Sequence, residues 1–315
     1  MSVDVSVVIV THNGPEWVER CLSALLDDAR PTVSFEVVVV DSASQEATLQ
    51  VLGRWADRVD LHLAEDNIGF ARGCNLGVRR SSGDKVLLLN PDAVVESGCV
   101  DALVAALDRD PGIGIIGGRT VHPDGSLDPR SCWGAPSLWS WFCFATGLST
   151  AFRGSQILDP ESLGSWQRDS MRAVPIVTGC LLMTTRATWD LLGGLDEDYF
   201  MYGEDADLSL RAAELGMRPS ITPEAVALHA FGASSQRKSH KHRLLMTGKA
   251  TLARKRWAPK RAEIGVRLLL LGVAVRTLGE RVRRVPDPNW SPLWVDRSWT
   301  RGWEGSARAG VRDKA

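Results

Sequence analysis

Through the first 117 residues, short runs of β-branched and aliphatic residues alternate with stretches of helical period. Val5 to Val10, Phe35 to Val40, Leu61 to Leu63, Val86 to Leu89 and Ile113 to Ile116 read as strands, and the amphipathic stretches between them as helices. In the first helix Trp17, Cys21, Leu22 and Leu25 fall at core spacing behind Pro15, a residue suited to a helix start. Regular alternation of strand and helix predicts an α/β fold with a mainly parallel sheet, and such sheets bind ligands at the carboxyl ends of their strands.

After the strong turn signal His122-Pro123-Asp124-Gly125, the alternation dissolves between Trp133 and Trp166 into an aromatic-rich region punctuated by Gly and Ser. We read 133–173 as an insertion. A strand-like run resumes over 174–185 around Gly179, followed by a short helix, an acidic helix, a strand ending near His229 and a basic helical segment. The expected organisation is a main domain over 1–235, the basic segment over 236–285 and a Trp-rich tail over 286–315. In that tail Trp290, Trp294, Trp299 and Trp303 lie among Pro and Gly, which suggests a weakly ordered or partner-bound segment.

The net charge of -1 over 315 residues hides an uneven distribution. Residues 237–284 hold 15 of the 37 Lys and Arg, with Glu263 and Glu280 as their only acids, so that segment carries +13 and the remainder -14. Such a block implies an anionic neighbour: lipid headgroups, a phosphorylated substrate or nucleic acid. No base-reading motif accompanies it, which argues against nucleic acid. Six cysteines, at 21, 74, 99, 132, 143 and 180, show no CxxC spacing and read as reduced thiols of a cytoplasmic chain. No basic region followed by an apolar stretch precedes the strand at Val5, which argues against a secretion signal. Leu268 to Val275 reaches about half of the ~20 residues a spanning helix needs, and Arg267 and Arg276 bracket it, so no transmembrane segment is expected.

Candidate chemistry begins with Gly203-Glu204-Asp205-Ala206-Asp207, three carboxylates on one helical turn behind Tyr199-Phe200-Met201-Tyr202. The cluster is suited to take a proton, although Glu204 and Asp205 also favour a helix N-terminus and Asp207 stands four residues before Arg211. Asp41 follows four valines at a strand end; there it either bonds a base or ribose or closes a turn with Ser42-Ala43-Ser44. Asn67-Ile68-Gly69-Phe70-Ala71-Arg72-Gly73-Cys74-Asn75 opens a helix, where it either offers a diphosphate backbone donors and a guanidinium or simply packs tightly through its glycines. Asn90-Pro91-Asp92 ends the fourth strand, as a turn or as a site holding Mg²⁺ or Mn²⁺ against phosphate oxygens. His229 closes another apolar run, as a core histidine or a metal ligand. The first strand turns through Thr11-His12-Asn13-Gly14 without a GxGxxG fingerprint, which disfavours a nucleotide-binding oxidoreductase.

In their order and spacing these segments, together with Val5-Ser-Val-Val-Ile-Val-Thr-His-Asn-Gly14, Val37-Val-Val-Val-Asp-Ser-Ala-Ser44, Leu89-Asn-Pro-Asp92 and Thr178-Gly-Cys-Leu-Leu182, carry a resemblance. Over roughly residues 3–257 the chain resembles a family 2 glycosyltransferase of the GT-A fold, in its rhamnosyltransferase-like branch. The resemblance implies a GT-A nucleotide-sugar-binding fold with a mainly parallel central sheet, to which the charge pattern adds a C-terminal basic helical segment. It implies that Thr11 and Asp41 contact the nucleoside and that Arg72 lies near the diphosphate. Asn13, Asn67, Gly69, Asn90, Gly179 and Glu204 complete the implied donor-binding positions. Asp92 takes the DXD position, where Asn90 replaces the first acid; Asp92 and His229 are the implied ligands of Mg²⁺ or Mn²⁺, and Asp205 is the implied general base.

The implied reaction moves a sugar, with inversion, from a nucleotide-diphosphate donor to a glycan or polyprenyl-diphosphate-linked acceptor. dTDP-rhamnose is the favoured donor, the 133–173 insertion lies near the acceptor, and a catalytically impaired scaffold is the alternative. Residues 237–284 then suit peripheral contact with the inner face of the plasma membrane, although Arg267 and Arg276, nine residues apart, fall on opposite sides of a helix.

Overall fold

The structure, a computed structural model, describes residues 3–229 and 238–303. Arg237, at the start of the basic segment, and 304–315 of the expected tail lie outside the described residues. In chain order the structure runs β1 (Val5–Thr11), α1 (Pro15–Ser23), β2 (Phe35–Ser42), α2 (Glu46–Trp55), β3 (Asp60–Ala64), α3 (Phe70–Arg79), β4 (Lys85–Leu89), β5 (Ala93–Val95), α4 (Cys99–Arg109) and β6 (Ile115–Val121). Short pieces follow: β7 (Leu127–Asp128), β8 (Cys132–Trp133), α5 (Leu138–Thr146), α6 (Leu148–Ala151), β9 (Arg172–Ala173) and β10 (Ile176–Val177). The chain then forms β11 (Leu181–Thr185), α7 (Arg186–Leu192), α8 (Glu204–Glu214), β12 (Ser220–His229), α9 (Lys238–Arg256), α10 (Pro259–Val282) and α11 (Ser291–Val295).

These elements belong to two compact units. The first draws on 3–133, 166–196 and 208–229, the second on 134–165, 197–207 and 238–303.

In the first unit one sheet has the order β3-β2-β1-β4-β11-β6-β12-β5. β1 pairs in parallel with β2 and β4, and β2 with β3, so four strands end at one edge. β11 runs antiparallel between β4 and β6, while β12 returns to parallel beside β6. β1 is buried along its whole length, as the valine run of a strand covered on both faces requires. Pro223 falls where the β12 register shifts between Thr222 and Val226, a position where its missing N–H costs no ladder bond. The expected strand at Ile113 to Ile116 lies slightly later: Pro111–Ile113 is a 3₁₀ turn and the strand begins at Ile115. In α1 the core face is Val18, Cys21 and Leu22. Trp17 is only partly buried and instead lies under the Arg20 guanidinium.

The second unit is helical. α10 approaches α5 through Gly265, which faces Trp141 and Trp257, and Gly272, which faces Phe144; a side chain at either glycine would occupy the space of those rings. Trp141, Met246, Leu269, Val273, Leu293 and Trp299 form its core. The stretch expected as a weakly ordered or partner-bound tail therefore folds through residue 303. Glu280 accepts hydrogen bonds from the backbone of Asn289, Trp290 and Ser291, Trp290 stacks on His242, and Trp299 is fully buried. Pro and Gly mark the turns that let this segment double back. In the aromatic region after Trp133, α5 opens on a Ser137–Ser140 capping box.

Candidate active site

Parallel pairing sets Thr11 directly beside Asp41, at the carboxyl ends of β1 and β2. Thr11 has no exposed surface, and its hydroxyl is 3.4 Å from the Asn13 carbonyl, so it braces the turn. Asn13 takes a positive φ of 64° and ties the first loop to the second, donating its N–H to Ser44 Oγ and accepting from Gln45 N–H through Oδ1. One Asp41 oxygen accepts from Ser44 N–H at 2.9 Å, closing the Asx-type turn that its neighbours suggested. The other, Oδ1, is buried with no protein donor. Asp41 thus keeps both readings: half its carboxylate shapes the loop, and half awaits a donor, which buried polar atoms normally have.

The glycine-containing loop is braced in the same way. Ser42 Oγ donates to Asn67 Oδ1 and accepts from Ile68 N–H, and Asn67 Oδ1 also accepts from Gly69 N–H. Asn67 therefore spends its amide oxygen on the loop. Gly69 caps α3 with a positive φ of 79°, a conformation that suits glycine. Arg72 lies partly buried on that first turn.

β4 ends in the Asn90-Pro91-Asp92 turn. Asn90 N–H donates to the Cys180 carbonyl, which brings the turn around buried Gly179 beside this edge. Cys21 donates its thiol to the Asn90 carbonyl, and burial followed by the charge of Asp92 raises its pKa, so it stays a thiol. β5 then pairs antiparallel with β12, setting Ala93 opposite His229. As a result His229 Nε2 lies 3.5 Å from Asp92 Oδ1. His229 Nδ1 lies 2.9 Å from Asp128 Oδ2, and Asp128 also accepts from Arg130 Nε. All three acid–base partners, Asp92, Asp128 and His229, are buried. Burial works against a charged imidazole at His229, but hydrogen bonds and charge from Asp128 and Asp92 outweigh it and lift the pKa to about 9. Burial likewise opposes ionised Asp128, and the bonds from His229 and Arg130 hold its pKa below the usual value.

With the Nε2 proton of His229 released, this arrangement fits a divalent cation, which would take that proton's place. Asp92 and His229 place a carboxylate oxygen and an imidazole nitrogen side by side, and Asp128 orients the ring from behind, as carboxylates commonly do for metal-binding histidines. Among the described residues no group of three or more His, Cys, Asp or Glu forms a full metal cage. Mg²⁺ and Mn²⁺ need none, because waters and phosphate oxygens supply the rest. Sequence reading did not single out Asp128. Its signal was the His122-to-Gly125 turn, which folds β7 back on β6 and sets Asp128 opposite Thr120.

In the second unit, Glu204 and Asp205 open α8. Tyr202 and Gly203 precede them with positive φ angles of 66° and 105°, a tight entry braced by Gly248 of α9, whose Cα hydrogens face the Tyr202 carbonyl. Glu204 is buried, and Oε2 has no hydrogen-bond partner; burial, then the adjacent Asp205, push its pKa up to about 8. Asp205 is partly exposed and accepts from Ala206 N–H. Asp207 lies 3.8 Å from Arg256 on α9, and in the first unit Arg211 donates to the carbonyls of Leu192 and Gly194. Both residues, set by sequence at i,i+4 spacing, thus have tertiary partners.

Comparison with known proteins shows the family and the fold. Residues 6–159 match the family described as Glycosyl transferase family 2. An N-acetylglucosaminyl-diphospho-decaprenol L-rhamnosyltransferase of Mycobacterium tuberculosis is 30% identical over 255 residues, 75% of this chain and 79% of that protein. Among solved structures, a mannosyltransferase of Pyrobaculum calidifontis in complex with GDP-Man and Mn²⁺ superposes with a TM-score of 0.54 at 20% identity, covering 100% of this chain and 89% of that one. TarS of S. aureus in complex with UDP-GlcNAc gives 0.52 at 17% identity, over 94% of this chain and 80% of its own. Both structures share the GT-A fold with this chain.

Proposed function

The chain belongs to glycosyltransferase family 2, and from that premise we propose an inverting transfer of rhamnose from dTDP-rhamnose to a hydroxyl of a glycan or lipid-linked glycan in cell-envelope polysaccharide synthesis. The observation that carries this reading furthest is the Asp128–His229–Asp92 array at the sheet edge. A bound Mn²⁺ or Mg²⁺ supplies neutralisation of the diphosphate leaving group, and Asp92 and His229 are the residues that would hold it.

The remaining roles fall to this chain's own groups. Asp41 Oδ1, the buried oxygen lacking a donor, accepts the imide N–H of a pyrimidine base. Arg72 and the helix N-terminus at the start of α3 hold the diphosphate. Asp205 takes the proton of the acceptor hydroxyl while that oxygen attacks the anomeric carbon from the face opposite the diphosphate, whose C–O bond breaks. One base suffices, since a neutralised diphosphate leaves without the second carboxylic acid that most glycoside hydrolases employ. Asn90 subtracts one charge from the cation site, so affinity for the metal rests more heavily on His229 and on the nucleotide.

The mycobacterial relative's name specifies a polyprenyl-diphosphate-linked acceptor, and we extend that class to this chain. Such an acceptor places the reaction at the inner face of the plasma membrane. Incubation with dTDP-rhamnose, Mn²⁺ and a polyprenyl-diphosphate-linked N-acetylglucosamine, with the product's anomeric configuration read by NMR, tests the proposal. Rhamnosylated product of opposite configuration to the donor is expected. Turnover of a UDP-sugar alone would replace the donor, retention would overturn the single-displacement mechanism, and nucleotide binding without any turnover would favour the scaffold reading.

A further inference from the structure

α10 is apolar on two faces. Its inward face, Ala262, Val266, Leu269 and Val273 with the two packing glycines, is buried. On the other side Ile264, Leu271, Val275, Leu278 and Val282 are each between 42% and 76% exposed. At about 100° per residue these five fall within an arc of about 60°, and at ~1.5 Å per residue the stripe runs ~27 Å. Arg276, which its spacing sets on the opposite side of the helix from Arg267, points inward. It donates to the Phe144 carbonyl at 2.7 Å and lies over the Phe144 ring, and burial lowers its pKa to about 10.

We propose that this outward face of α10 docks on an anionic lipid bilayer, its five aliphatic side chains entering the headgroup boundary. Charge complementarity selects this occupant. Lys260, Arg261, Arg281, Arg283 and Arg284 are exposed along and just beyond the helix. Of its two acids, Glu263 is paired with Arg267 and Glu280 is spent on the backbone of 289–291. A second copy of the same face would oppose cation to cation, whereas anionic headgroups neutralise the rim while the stripe buries its aliphatic surface. No described helix is long and apolar enough to cross a membrane, so the contact is interfacial. The cations on α9 are less available: Lys249 pairs with Glu161, Lys255 with Asp198 and Arg243 with Asp296. The contact surface is therefore narrower than the whole basic segment.

The inference does not depend on the sugar or the acceptor, and its test uses neither. Full-length protein is co-sedimented with vesicles of phosphatidylglycerol and phosphatidylcholine, and with phosphatidylcholine alone, at low and high salt. Binding is expected to the anionic vesicles, weakened at least tenfold by high salt and by the double substitution Leu271→Glu/Leu278→Glu. Because both leucines are exposed, the double variant is expected to keep its melting temperature, and Arg281→Glu/Arg284→Glu provides a second variant that touches no core residue. Equal binding to both vesicle types, or anionic binding unchanged by both double variants, overturns the proposal. A wild-type dimer that Leu271→Glu/Leu278→Glu converts to monomer, with vesicle binding intact, assigns the face to self-association instead.

Discussion

Nδ1 of His229 lies 2.9 Å from Oδ2 of Asp128, two buried side chains 101 residues apart in sequence. The contact fixes which ring nitrogen faces Asp92. Removing the carboxylate's charge while keeping its shape should loosen that orientation. Asp128→Asn is expected to weaken Mn²⁺ binding by roughly 10- to 100-fold, measured by calorimetric titration in the presence of dTDP. Unchanged affinity would leave Asp128 a purely structural role.

Asp205→Asn tests the base. It is expected to lower kcat by about 10²- to 10⁴-fold while leaving nucleotide affinity unchanged, since only proton transfer is lost. Near wild-type turnover would remove Asp205 from the mechanism.

Asp41 Oδ1 is a buried acceptor to which the protein itself offers no donor. Asp41→Asn replaces a charged acceptor, so pyrimidine nucleotide binding should weaken by about 1.5–3 kcal/mol, read as a smaller thermal shift with dTDP and with UDP. An undiminished shift would confine Asp41 to closing its turn.

Glu204 gives a pH dependence whose sign can be worked out. Its pKa is raised from 4.5 to about 8 in the folded state, so between those values the folded protein keeps a proton that the unfolded chain releases. Stability from this group is fully present below pH 4.5 and declines as pH rises through about 8. Glu204→Gln cannot ionise, so its melting temperature should exceed that of the wild type more at pH 8.5 than at pH 5. An equal difference at both would show that Glu204 ionises freely.

Gly272 of α10 faces the Phe144 ring with no room for a side chain. Gly272→Val should therefore destabilise the helical unit by about 1–3 kcal/mol in urea titration, through forced displacement of that ring. A neutral effect would mean that α5 yields easily.

Much of the first unit was legible because its signals are local. Four valines in a row before Asp41, Pro15 behind a turn, and Gly69 ahead of a helical pattern dictate strand, helix start and cap without reference to distant residues. The strand ends that gather Thr11, Asp41 and Asp92 follow from parallel alternation itself. What pattern alone did not settle was pairing across the chain. Asp128 meets His229 only because β7 folds back on β6 and β12 inserts beside it; nothing near either residue encodes that neighbour. The Trp-rich segment read as loosely ordered because Pro and Gly interrupt every local period, yet Trp299 is buried by α9 to α11, contacts of long range that no window of sequence contains. Arg276 likewise turned inward because Phe144 offers a ring and a carbonyl there. Composition and period thus determined the elements and their polarity, while burial and partner choice for the charged and aromatic side chains were decided by tertiary packing, since the free energy of a buried ion or ring depends on neighbours that only the folded chain supplies.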